Sequence, residues 1–261
     1  MNSERKVEIM GILNITPDSF SDGGVYFSLN KAISRAKEII KEGADIIDVG
    51  GESSGPNSVF VSEEEELKRV IPVIKKIAPI CKKHKVLISI DTYKSEVARQ
   101  AVKAGASIIN DVTAFRGDPK MAGAAAELNV PIILMYSKDS TARTTRLEKK
   151  YKDVVKTVME FLEEQIKYAR DAGIKKENII IDPGMGAFIS AIPEYSFEIL
   201  RRLSEFKKLG CEILIGTSRK SFLPGALSQR LIPSLIANMV AVKNGASILR
   251  VHDVIASRKC L

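Results

Sequence analysis

The 261-residue sequence has no tryptophan, only three cysteines, and no apolar run near the ~18 residues needed to cross a bilayer. Each scarcity narrows the reading. Without such a run, no membrane span is expected. Cys81, Cys211 and Cys260 are odd in number and far apart, which indicates neither a disulfide framework nor a zinc site. The N-terminal "MNSERKVEIM" holds no apolar signal segment, so a cytoplasmic protein with free thiols is the expectation. No G-x-G-x-x-G, Walker loop or H-E-x-x-H occurs, which removes support for the common nucleotide and zinc-peptidase readings. Clustered basic charge is missing too. The net charge is +8, but in "LEKKYKDVVKTVMEFLEEQIKYARDAG" the cations alternate with Glu and Asp, as on solvated helix faces. No nucleic-acid partner is expected from that pattern.

What is present is alternation. Apolar runs occur at "VEIMGIL", "DIIDVG", "VLISID", "SIIND", "VPIILMY", "NIIIDPG", "CEILIGTS" and "SILRVH". Between them apolar residues recur at helical spacing: Ala32, Ile33, Ala36, Ile39 and Ile40 before Gly43, and Val154, Val155, Val158, Phe161, Leu162 and Ile166 before Gly173. Continuous apolar strands alternating with amphipathic helices imply a parallel sheet with helical crossovers. Eight such units in this length predict an α/β fold, a (β/α)8 barrel spanning residues 1–261 as one domain.

A weak repeat supports this: "EGADIIDVG", "AGASIINDV" and "NGASILRVHDV" each read as helix, Gly stop, then a strand ending in polar residues. Asp48, Asp91, Asn110, Asp182, Arg219 and Arg250 all stand at such strand ends, where barrels place their active sites. Asp91, Asn110 and Asp182 suit a ligand with several N–H donors. Arg219, Lys220 and Ser221, then Arg250 and His252, follow the last two strands, where barrels commonly bind phosphate. The polar stretch "NITPDSFSDGG" after the first strand is longer than a turn requires. "SEEEE" at 62–66 reads as a solvated helix start with Ser62 as N-cap and Glu65 at the third helical position, and His84 as an exposed residue of a basic run.

With these motifs in order ("MGILNITPDSFSDGG", "IDVGGES", "ISIDTYKSEVARQAVKAGASIINDV", "IIIDPGMG", "IGTSRKSF" and "LRVHDV"), the sequence resembles the dihydropteroate synthase family of pterin-binding barrels from about Met10 to Val254. The resemblance implies transfer of the pterin-methyl group of 6-hydroxymethyl-7,8-dihydropterin diphosphate to p-aminobenzoate, with loss of pyrophosphate. It implies pterin binding by Asp91, Asn110, Met135, Asp182 and Lys220. Diphosphate falls to Asn14, Ser54, Arg250 and His252, with Asn14 a ligand of Mg²⁺. Arg219, Ser221 and Phe188 fall on the arylamine side, and the catalytic set is Asn14, Asp91, Lys220, Arg250 and His252. The loop after the first strand would act as a lid, with Gly23 and Gly24 giving it freedom.

Three places depart from the family pattern. "GGESSGPNS" stands for G-G-E-S-T-R-P-G, so Gly55 replaces a diphosphate-reaching Arg and Ser54 a Thr. "DPGMGAFIS" puts Ala187 for an aromatic residue, with Phe188 one position late, and Ile189 for a Lys near the arylamine. "LMYSKDS" has Tyr136 for a His. The closing "VIASRKCL" is short for the full final helix that helps form a homodimer in the family. Two other readings stay open: a pterin-dependent methyltransferase, which leaves "SRKSF" and "RVHDV" unexplained, and a non-catalytic pterin-binding protein, favoured by Gly55 and Ile189 and opposed by Asn14, Arg250 and His252.

Overall fold

All the apolar runs become strands: β1 (Glu8–Asn14), β2 (Ile46–Gly50), β3 (Leu87–Asp91), β4 (Ile108–Asp111), β5 (Ile132–Met135), β6 (Ile179–Asp182), β7 (Glu212–Ile215) and β8 (Ile248–Val251). The structure, a computed structural model, describes residues 7–15 and 25–261. The strands close in chain order into a parallel barrel, β1 pairing with both β2 and β8. The intervening helices are α1 (Val25–Lys41), α2 (Glu63–His84), α3 (Ser95–Ala104), α4 (Met121–Leu128), α5 (Val154–Asp171), α6 (Pro193–Arg201) and α7 (Leu231–Lys243), with α8 (Val254–Lys259) after β8.

Strand parity sorts the side chains. Ile9, Ile47, Ile109, Ile132, Ile181 and Leu249 point outward and join the helices' apolar faces in the main core. Met10, Ile46, Ile108, Ile133, Ile180, Leu214 and Ile248 point inward and form a separate apolar plug inside the barrel. Two residues further along each strand the same inward parity holds Ile12, Asp48, Asn110, Met135, Asp182, Gly216 and Arg250. The barrel is therefore plugged with hydrocarbon below and floored with polar groups above.

The repeat noted in the sequence is the helix-to-strand joint. Gly43, Gly105 and Gly245 all have positive φ, and Gly105 donates its N–H back to Ala101 and Val102. Ser62 does cap α2, its Oγ accepting from Glu65 N at 3.2 Å, and His84 is exposed. The expectation of a wholly solvated acidic start is corrected at Glu66. That carboxylate is buried and receives the Nζ of Lys94, because α2 leans this turn against the loop after β3.

Candidate active site

Inward parity brings Asn14, Asp91, Asn110, Met135, Asp182 and Arg250 to one mouth of the barrel. A Cβ built on Gly50 would stand 3.5 Å from Asp91 Cβ and 3.7 Å from Asn14 Oδ1, so the absent side chain leaves space between them. Gly216 does the same on the opposite wall, 3.8 Å from Arg250 Cβ and 3.9 Å from Lys220 Nζ. Residues 16–24, and with them the lid expected there, lie outside the described residues.

Charges of both signs share this floor. Arg250 donates its Nε to Asp48 Oδ2 and its Nη2 to Asp91 Oδ2, each at 2.6 Å. Burial disfavours the guanidinium charge, but Asp48 and Asp91 more than restore it, and its pKa is raised. Burial pushes the Asp91 carboxyl up to about 7, against the pull of Arg250 and with help from the Asp48 charge. Asp182 is also raised, chiefly by burial; Lys220 and the Gly184 N–H, at 2.8 Å from its Oδ1, act in the opposite direction. Only glycine fits at 184, where φ is +73° and a Cβ would lie 2.3 Å from the Tyr136 carbonyl. Burial lowers Lys220 to about 8, with Asp182 restraining the fall and Arg250 adding to it.

His252 is exposed as a residue, yet the protein around its ring desolvates it. That burial, followed by repulsion from Arg250, brings its pKa down to about 4. The ring is neutral near pH 7. Ser218 Oγ accepts from the His252 backbone N–H and lies 3.1 Å from Nδ1. Ser218 Oγ serves Nδ1 as donor or as acceptor, according to which ring nitrogen carries the proton.

At the rim the expected residues are less closely gathered. Arg219 sits in the left-handed region at φ 56° and turns its fork onto Asp253, at 2.9 and 2.6 Å. Ser221 is exposed, and the Phe188 ring lies 5.0 Å from Lys220 Nζ. Ser54 is half-buried, and its carbonyl accepts from Thr144 N at 3.1 Å.

The departures from the family pattern take concrete form. Ile189 is fully buried in the main core, so the change there fills hydrocarbon space. Ala187 offers its carbonyl to Lys138 Nζ and Thr144 Oγ1, both at 2.9 Å. Tyr136 is buried with its hydroxyl 3.1 Å from that of Tyr151, and Lys149 Nζ donates to it at 3.3 Å. Although Gly55 carries no cation, its loop has one alongside: Arg143, from the β5–α5 segment, donates to Glu52 Oε1 at 2.6 Å.

Some participants are not evident as such in the sequence. Lys94 ties Glu52, at 2.5 Å, to Glu66 and so joins the loops after β2 and β3. Ser218 lies inside "GTSRKSF" and Asp253 inside "RVHDV", but nothing in either run marks it as a partner of a neighbouring side chain. Asp48 carried the strand-end signal, without any sign that it would hold Arg250.

A barrel of this kind, with acceptors and cations on one mouth, is what the family comparison identifies as a class. The family model described as "Pterin binding enzyme" matches residues 10–252. The dihydropteroate synthase of Bacillus subtilis is 46% identical over 258 residues, covering 97% of this chain and 86% of the relative. The Xanthomonas albilineans dihydropteroate synthase solved with 4-aminobenzoic acid superposes with a TM-score of 0.89 at 40% identity, covering 98% of this chain and 91% of that one. The same enzyme solved in complex with 7,8-dihydropteroate gives 0.86 at 39% identity, over 99% and 92% of the two chains. The chain belongs to the dihydropteroate synthase family of pterin-binding enzymes.

Proposed function

We propose that this protein condenses 6-hydroxymethyl-7,8-dihydropterin diphosphate with p-aminobenzoate, giving 7,8-dihydropteroate and pyrophosphate. The observation that carries the reading is the floor itself, where the acceptors Asp91, Asn110 and Asp182 share one mouth with Lys220 and Arg250. We assign the pterin's N–H groups to Asp91, Asn110 and Asp182, with Met135 beside the ring and Lys220 as its donor. Asn14, Ser54, Arg250 and His252 are assigned to the diphosphate. Arg219, Ser221 and Phe188 are assigned to the arylamine.

The chemistry follows from charge placement. Asp48, Asp91 and Asp182 face two cations, Arg250 and Lys220. Carboxylate charge thus favours the cation that develops on the exocyclic carbon as its C–O bond breaks. The arylamine lone pair then forms the C–N bond, and the amine's surplus proton leaves to solvent. Arg250 and the neutral His252 bind the departing pyrophosphate.

The family implies Mg²⁺. No group of three or more His, Cys, Asp or Glu able to cage a metal exists among the described residues. An exposed amide oxygen at Asn14 instead suits a hard cation that keeps waters and arrives with phosphate oxygens. Asn14 would hold it, and the bound ion would neutralise charge on the leaving group.

The apolar stripe Ile232, Ile236, Met239 and Val240 on α7, with Ile255 of α8, is exposed, Ile232 and Ile236 each to 61%. We assign it to a homodimer contact. The free thiols and the absence, among the described residues, of a helix long and apolar enough to cross a membrane fit a cytoplasmic location.

Calorimetry tests the assignment. Asp182→Ala should abolish binding of dihydropterin, and unchanged affinity would refute its role. Arg250→Ala should weaken the diphosphate far more than the free hydroxymethyl pterin, and an equal effect on both would count against it.

A further inference from the structure

Asp48 has no ligand-facing role above, yet it is the floor carboxylate with no exposed surface at all, against 5% for Asp182. A charge in that layer is costly to bury unless it is well paired. Its pairing is lopsided. Oδ2 accepts from Arg250 Nε at 2.6 Å and from Asn110 Nδ2 at 3.1 Å. Oδ1 accepts nothing among the described residues, and neither does the Oγ of Ser89, its Cα partner on β3. Ile12, its partner on β1, shows that an apolar side chain fits this layer. A buried carboxylate with one idle oxygen is a poor way to stabilise a barrel, and such groups call for an explanation.

Orientation supplies one. A carboxylate only accepts, so Asn110 must turn its NH₂ toward Asp48 and keep its carbonyl oxygen for another partner. The contact thereby fixes Asn110 as an acceptor. The same oxygen holds one end of the Arg250 edge while Asp91 holds the other at 2.6 Å. That leaves the Nη1 end of the fork without a partner among the described residues. One oxygen thus sets an acceptor for ring N–H groups and a donor for phosphate oxygens.

We infer that Asp48 is a positioning residue: through a single carboxylate oxygen it locks Asn110 and Arg250 together, coupling recognition of the pterin ring to recognition of the diphosphate. The inference rests on the ligand roles proposed for Asn110 and Arg250. Replacement by Asn keeps the shape but takes the charge from both hydrogen bonds, so the hold on Asn110 and Arg250 is weakened.

The test is a pair of double-mutant cycles, read by calorimetry with 6-hydroxymethyl-7,8-dihydropterin and its diphosphate, alongside thermal unfolding of every variant. Asp48→Asn should weaken the free dihydropterin by at least about tenfold, the scale of a charge-assisted hydrogen bond. In an Asn110→Ala background the same change should cost less than about threefold, because the oriented amide is already gone. The additional loss seen with the diphosphate should likewise vanish in an Arg250→Ala background. A merely structural Asp48 would lower the unfolding temperature and leave the losses additive, which would overturn the inference while the functional reading stands. Failure of the wild-type protein to bind either ligand would instead overturn the functional reading itself. Should Asp48→Asn not fold, the wild-type protein supplies the readout. Its Asn110 side-chain amide protons should exchange slowly with solvent, and free exchange would overturn the lock.

Discussion

Lys220 and Asp91 both titrate close to neutrality, and this gives the site a pH signature. Lys220, assigned above as the pterin's donor, is a charged donor only while protonated, and its pKa near 8 means that the charge is lost above that pH. Asp91 accepts N–H bonds as a carboxylate, and its pKa near 7 means that it gains a proton below that pH. The expected kcat/KM profile is a narrow bell that falls on either side of about 7 to 8. A profile flat between about pH 6 and 9 would contradict both assignments. Asp182 restrains the fall of the Lys220 pKa, so Asp182→Asn should move any residual basic limb to lower pH, whereas an unmoved limb would argue against Lys220 as its source. The residue types were legible from the sequence because acids, amides and cations at buried strand ends have few structural reasons to be there. Their pairings were not. Arg250 reads as a free phosphate ligand until the structure shows it spanning Asp48 and Asp91.

The same division holds for whole elements. Each strand was visible as an apolar run, and the repeated Gly stops gave the joints, because a buried parallel strand and a left-handed helix cap each demand particular residues locally. The loops carry the less legible information. Glu52, Glu66, Lys94 and Arg143 come from four separate segments, and only barrel closure brings them together. Lys94 and both carboxylates are almost wholly buried, so Lys94→Met leaves Glu52 and Glu66 without their shared cation. The expected loss is about 3–5 kcal/mol of unfolding free energy in urea; an unchanged midpoint would show that the network contributes little. Arg143 is partly exposed, so Arg143→Ala should cost at most about 1 kcal/mol of stability. Its effect should appear in function, as a raised KM for the diphosphate substrate once the loop bearing Ser54 is less restrained. A KM equal to wild type would separate this loop contact from the site.

At the scale of the molecule, the barrel class was readable from eight strand–helix units, while the exposed stripe assigned above to a second copy was not. Helix α7 is apolar nearly all round, so periodicity alone does not distinguish its inward face from its exposed one. Ile236→Glu places a charge in the middle of the exposed stripe. Light scattering should then find a monomer where the wild type is a dimer, and a wild-type monomer would remove that assignment. The protein's central property is the coupling of an acceptor-rich floor to cations in one reaction, and pyrophosphate release reads it most directly. Purified protein with Mg²⁺, dihydropterin diphosphate and p-aminobenzoate should release pyrophosphate only when the arylamine is present, with one dihydropteroate formed for each pyrophosphate. Pterin bound with no pyrophosphate released, or release that ignores the arylamine, would contradict the account.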